Sequence, residues 1–346
     1  MIQEELLSFG SDYMEGAHPD VMNQLVLTNL VKSPGYGTDS YSAAASRKIL
    51  TACDCPDGAV YFLSGGTQTN STVIDALLPA YEGVMAAKSG HISVHEAGAI
   101  EGNGHKVLEL PHEQGKVKAD EVATFIDTLQ QDVNHEHMVM PGLLYISQPT
   151  EYGTLYSLQE LTDLCNVCHQ RGVKVYVDGA RLAYALAAET NDVTLRDLAR
   201  LCDVFYIGGT KCGALFGEAV VLPKADLIPH FFTIIKQHGA LFAKGRLLGV
   251  QFDTLFTNDL YLRLGKPAVA AAQRMQQSLQ QKGYELLFVS PTNQVFVVIE
   301  NEKMKELAKK VEFGFWEAFD ENHTIIRFVT SWDTKIADIE RLEDIL

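Results

Sequence analysis

The chain has 346 residues, 47% hydrophobic, 21% charged and 9% aromatic, which excludes disorder, fibres and coiled coil and leaves length for one large unit plus a smaller one. Its 44 acidic residues outnumber 28 lysines and arginines, a net charge of −16, so nucleic acid and anionic membranes are poor partners. No apolar run reaches the roughly 18 residues of a membrane-spanning helix.

The opening MIQEELLSFG is acidic and too short in its apolar run for a secretory leader. The six scattered cysteines are therefore expected as reduced thiols in a cytoplasm. A short extended piece ends at Ser11 and Asp12, and Pro19 starts an amphipathic helix, VMNQLVLTNLV. PGYG is a turn leading into a helix from about Asp39, whose side chain can cap it. AVYFLS then reads as a buried strand.

After that strand, SGGTQTNSTVIDALL opens a helix with glycines and small hydroxyl residues. Backbone N–H groups left free at such a start bind phosphate dianions, so Gly65, Gly66 and Thr67 are candidates for a phosphate cradle; a plain strand-to-helix turn with a threonine cap is the alternative. HISV reads as a strand end that delivers His91, with Glu96 following in a helix, HEAGAIEGNG. VLELP is a further strand, Asp120 to Asp132 a helix, GLLYISQPTEYGTLY a strand with its loop, and SLQELTDLCNVCHQRG another helix. The CxxC of Cys165 and Cys168 lies on that amphipathic helix, and no metal is expected.

The stretch from Val173 to Gly217 organises the rest. Two β-branched runs, VKVYV and VFYIGG, each end on one ionisable residue, Asp178 and Lys211, with helix between them. Read singly, Asp178 could cap a helix and Lys211 could be a loop cation. An acid and a lysine at the ends of buried parallel strands both carry a desolvation cost and need a partner that makes it useful. Pyridoxal phosphate supplies one: its ring nitrogen pairs with a carboxylate and its aldehyde condenses with a lysine amine.

From Ser64 to Val221 strands and helices alternate, the pattern of a mostly parallel sheet covered on both faces. Beyond Pro223, long helices are followed by NQVFVVIE, a helix from Glu302 and TIIRFVTSW, a smaller α+β unit. The expected division is an N-terminal arm (1–35) packed on the small unit, a large cofactor-binding domain (36–250) and a small C-terminal domain (251–346).

SDYMEGAHPDVM, YGTDSYS, FLSGGTQTN, HISVHEAGAIEG, VYVDGARL, IGGTKCGALFGEAVV and IIRFVTSWD together resemble the threonine aldolases within the β-eliminating lyase group of fold-type I, aminotransferase-like pyridoxal phosphate enzymes. The resemblance implies Lys211 as the Schiff-base lysine, Asp178 as partner of the ring nitrogen, His91 stacked on the ring and Gly66 and Thr67 on the phosphate. It also implies Ser11, Arg181 and Arg327 on a substrate carboxylate, for which a planar guanidinium is well shaped. Glu151 stands where such aldolases commonly carry a second histidine. Ala243 stands at the place of the family's interface arginine, so Lys244, or Arg246, is expected to reach the phosphate of a neighbouring subunit.

The implied reaction cleaves a β-hydroxy-α-amino acid such as L-threonine or L-allo-threonine to glycine and an aldehyde, with His91, Glu151 or an ordered water as base for the β-hydroxyl. The alternatives are a β-eliminating lyase or racemase on the same scaffold, or a silent binding protein that kept only the fold. A homo-oligomer, dimer or tetramer, with sites at the subunit boundary is expected.

Overall fold

Seven strands build the central sheet, in the spatial order Ala59–Leu63, Glu218–Leu222, Val204–Gly208, Lys174–Asp178, Met140–Ser147, Glu82–Ala87 and Val107–Leu110. The computed structural model describes residues 6–346, so residues 1–5 of the expected arm lie outside it. All neighbouring pairs are parallel except those made by Glu218–Leu222, which runs against both its neighbours. Six strands thus present their carboxyl ends to one rim, and the reversed strand presents its first residue, Glu218, to the same rim.

Strand alternation sorts side chains onto two cores. Val175, Val177, Leu144, Ile146, Phe205 and Ile207 pack on one face, while Tyr145, Tyr176, Val204 and Tyr206 pack on the other. The expected helices form: Asp39 caps Ser40–Cys53 through Tyr41 and Ser42 N–H groups, and Ser157 with Glu160 closes a capping box on Leu158–His169.

Three local readings change. Ala59–Leu63 is only half buried, because it is the edge of the sheet rather than its centre. HISV is not a strand: the strand is Glu82–Ala87, and His91–Val94 is a short helix. Gly90 N–H donates to Ala87 O at 2.7 Å, and a Cβ at Gly90 would meet that oxygen at 2.9 Å, so the chain turns sharply where apolar alternation suggested it ran on. The helix expected after it shrinks to Ala99–Gly102, because Ala97 and Gly98 take left-handed backbone. The helical stretch expected between Lys174–Asp178 and Val204–Gly208 is made of two helices, Leu182–Ala187 and Leu195–Leu201.

A second, antiparallel sheet has the order Gly314–Ala318, His323–Val329, Gln294–Glu300, Glu285–Leu286. Helix Leu260–Gln281 joins the two bodies: Leu260 to Val269 pack into the large core, and Ala271 to Leu279 into the small one. At the other end of the chain, Leu7–Ser8 pairs in parallel with Val311–Glu312. Further on, His18 N–H donates to Gly213 O beside the lysine loop. That route carries Ser11 and Asp12 past the sheet's rim.

Candidate active site

Asp178 ends its strand and Lys211 follows the next strand by three residues, and both line one cavity of about 220 Å³ with Gly65, Gly66, Thr67, His91 and Glu151. A second cavity of about 500 Å³ shares His91, Glu151, Arg181 and Lys211 with the first and adds Arg327. Ligands of open parallel sheets bind outside the strands' carboxyl ends in this way.

Burial pushes the Lys211 ammonium down from its ordinary value and the Arg181 guanidinium pushes the same way, against Asp12, Asp178 and Glu218. Among the described residues no group hydrogen-bonds its amine, while Tyr184 Oη holds the Lys211 carbonyl at 2.5 Å. The loop is fixed and its amine is free, which is what a nucleophilic lysine requires.

Burial alone would raise the Asp178 carboxyl. The His91 imidazole, hydrogen bonds from Tyr145 and Tyr206 and the Ala180 N–H outweigh it and hold the group below its ordinary value. Tyr145 Oη donates to Oδ2 at 2.6 Å, Asn70 Nδ2 to the same oxygen at 3.1 Å, and Ala180 N–H to Oδ1 at 2.9 Å. Asn70 Nδ2 also donates to Glu96 Oε1 at 2.7 Å, and Tyr176 Oη donates to Asn70 Oδ1 at 2.8 Å. Glu96 in turn meets His91 Nδ1 at 2.8 Å. His91 therefore stands on a buried carboxylate that orients its ring.

Helix Gly66–Leu77 opens at Gly65 with no side-chain cap, leaving first-turn N–H groups facing the smaller cavity. A Cβ at Gly66 would stand 3.3 Å from the Tyr206 hydroxyl, and one at Gly65 would meet nothing within 4 Å.

Glu151 lies in the loop after Met140–Ser147. Its Oε1 accepts from Ser147 Oγ at 2.7 Å and from the His91 N–H at 3.0 Å, and burial raises its carboxyl.

The arginines differ. Arg181 Nε and Nη2 donate to the two oxygens of buried Asp12 at 2.7 and 3.0 Å, so most of its fork is already occupied. Arg327 has no ion pair among the described residues. Its Nη1 donates to Gln294 Oε1 at 3.1 Å, its Cζ lies 5.2 Å from the Trp316 ring centre, and its Nε is buried without a partner among the described residues. Burial, with repulsion from Arg181, lowers it to about 10. Ser11 Oγ is likewise buried and unpartnered.

Lys244 is exposed and lines neither cavity. The alternative, Arg246, is engaged inside its own chain: it donates to the carbonyls of Thr28 and Val31, closing the end of helix Pro19–Thr28. Sequence reasoning missed four groups at the rim: Asp12, Asn70, His95 and Glu218. Glu218 accepts from Gly209 N–H at 3.0 Å and Thr210 Oγ1 at 2.8 Å, and burial pushes its carboxyl up to about 8, against pulls from Thr210, Lys211 and Gly209.

The sheet, its rim and the added antiparallel unit are those of the fold-type I, aminotransferase-like class. Aspartate aminotransferase from Thermus thermophilus superposes with a TM-score of 0.72 over 98% of this chain and 90% of its own, at 12% identity. Within that class the chain belongs to the β-eliminating lyase family, whose model matches residues 9–302. It is 30% identical to the low specificity L-threonine aldolase of Pseudomonas aeruginosa over 97% of this chain and 95% of that protein. It also superposes on the Leishmania major threonine aldolase structure with a TM-score of 0.94 and 40% identity, covering 98% of each.

Proposed function

We propose that the protein is a pyridoxal phosphate-dependent carbon–carbon lyase that cleaves L-threonine, L-allo-threonine or related β-hydroxy-α-amino acids to glycine and an aldehyde. The observation that carries this reading is one rim bearing an amine unbonded among the described residues, an ionised buried acid and a half-buried guanidinium with no anion of its own among them.

The residues present fit the cofactor. A glycine-opened helix start suits a phosphate, a carboxylate held ionised suits a protonated ring nitrogen, and a desolvated amine suits an aldehyde. When bound, pyridoxal phosphate supplies a carbonyl for the substrate's amine and a ring that withdraws electrons from Cα. In this reading Gly65, Gly66 and Thr67 take the phosphate, Asp178 the ring nitrogen, His91 the ring face and Lys211 the aldehyde carbon. Arg327, the remaining donor of Arg181 and Ser11 bind the substrate carboxylate and so orient the bond to be broken. The large body thus holds the cofactor, while the small body, whose core begins only at Ala271 rather than at 251, contributes Arg327 and the arm (1–35) contributes Ser11.

The active form is a homo-oligomer, dimer or tetramer, in which Lys244 reaches the neighbouring site. Supporting it, Val26, Leu27 and Leu30 expose 71%, 73% and 92% of their surface along one face of the first helix and its end, an apolar strip of the kind a second copy covers. Six free cysteines fit a reducing compartment such as cytoplasm. No helix among the described residues is long and apolar enough to cross a membrane.

Purified protein loaded with cofactor is tested on L-threonine, L-allo-threonine, phenylserine, serine and alanine. Glycine with an aldehyde is the expected product; ammonia with an oxo acid and no glycine would overturn the aldolase reading in favour of elimination. Lys211→Ala should lose the visible absorbance of bound cofactor and at least about four orders of magnitude of kcat. A colourless wild type that takes up no cofactor would mean a silent scaffold.

A further inference from the structure

We infer that His95 is the catalytic base that takes the proton from the substrate's β-hydroxyl. The inference rests on the aldol-cleaving reading above. With the amine at Lys211 and the carboxylate at Arg327, the part of the larger cavity left for the third substituent of Cα is the wall of His95, Tyr152 and Trp316.

The other candidates on that wall are committed elsewhere. His91 Nδ1 is held by Glu96 and its ring is assigned to the cofactor face, and Glu151 Oε1 already accepts two hydrogen bonds. Tyr152 Oη turns to Glu317 at 3.4 Å, and burial pushes its phenol up, so it keeps its proton. His95 sits one helical turn beyond His91, their ring centres 5.7 Å apart, and 6.5 Å from the Trp316 ring centre. Among the described residues neither of its ring nitrogens has a hydrogen-bond partner.

His91, Lys211, Arg181 and Arg327 and the carboxyls of Glu151 and Glu317 line the cavity it faces, with the Tyr13 phenol beside them. Partial burial, then His91, Arg327 and Lys211, hold the imidazole below its ordinary value. It is therefore neutral, and able to accept a proton, at neutral pH. In the step assigned to it, the O–H bond breaks as a ring nitrogen takes the proton and the oxygen's freed pair forms the aldehyde C=O. The Cα–Cβ pair stays on Cα, which then takes up a proton to give glycine. His95 returns its proton to solvent at the cavity mouth.

The test uses full-length, cofactor-loaded protein. His95→Gln should lower kcat for L-threonine cleavage by roughly 100-fold or more with little change in KM. It should also abolish the acid limb of the rate's pH profile, which Glu151→Gln should keep. Exchange of the glycine α-proton in deuterated water breaks no carbon–carbon bond, so it should persist in the variant, as should cofactor absorbance and affinity. Added imidazole should restore cleavage to His95→Ala in proportion to its concentration, and ring NMR of the cofactor-free protein should show His95 titrating below the ordinary histidine value.

Cleavage at the wild-type rate in His95→Gln would overturn the assignment. So would joint loss of cleavage, exchange and cofactor absorbance, which marks a structural role, or loss of the acid limb in Glu151→Gln instead. Wild-type protein that exchanges glycine but cleaves no β-hydroxy amino acid would overturn the aldolase reading itself, and the assignment with it.

Discussion

Around Asp178 the polar groups of the site bind one another, whereas around Arg327 they wait. Asn70 alone serves two carboxylates and a tyrosine hydroxyl, leaving Glu96 Oε2 as the one buried side-chain oxygen of that network without a partner. On the other side Ser11 Oγ and Arg327 Nε are buried with nothing to bind. Buried polar groups left unmet cost free energy. The contrast fits one end that keeps a single occupant through every turnover and another that must gain and release its occupant each time. The first can be satisfied once, by the protein; the second is satisfied only by substrate.

If that contrast is right, damage to the two ends has opposite signs in the empty protein. Asn70→Leu removes the shared donor and leaves Glu96 and Asp178 short of hydrogen bonds in a site that is fully buried. The expected loss is roughly 3–5 kcal/mol of unfolding free energy, read as a drop in thermal midpoint of cofactor-free protein, together with weaker cofactor binding. An unchanged midpoint would show that the network does not hold the empty site together.

Arg327→Leu sharpens the comparison from the other side. It removes a guanidinium that burial already pushes down to about 10, so the empty protein should gain about 1–3 kcal/mol. Cleavage of L-threonine should meanwhile lose roughly 10- to 100-fold in kcat/KM, the worth of a charge-assisted contact to a carboxylate. Activity lost together with stability would instead make Arg327 a structural residue.

How much of this arrangement was legible depends on how local its cause is. Lys211 and Asp178 stood out because each follows an apolar run, and Arg327 because an arginine between isoleucine and phenylalanine inside a strand needs a reason. The mostly parallel sheet followed from the alternation of elements. Asn70 was silent, since it meets Asp178 across 108 positions and nothing near it marks a carboxylate clamp. Glu218 was silent because only the sheet order reveals that its strand runs backwards, which brings its first residue to the rim. Arg246 was open as a phosphate ligand until the fold set it against carbonyls more than 200 positions away, and His95 became visible only when HISV proved to be helix.

Glu218 lies between the two ends and tests whether the lysine loop belongs to the satisfied kind. Its carboxyl is raised from 4.5 to about 8 in the folded chain, so between those values the folded state holds a proton that the unfolded state has lost. Stability from this group is complete below the unfolded value and drains away as pH rises through the window. Lys211 opposes it: its ammonium is lowered, so the folded chain sheds that proton first and gains stability as pH rises above the lowered value. The Glu218 slope falls between pH 5 and 8, where cofactor-free wild type should lose stability, on the order of 3 kcal/mol. Glu218→Gln keeps an acceptor for the Gly209 N–H but cannot titrate, so its thermal midpoint should lose the fall that Glu218 causes over that range. Parallel profiles for the two proteins would place the Glu218 proton elsewhere and leave the loop held by Thr210 and Tyr184 alone.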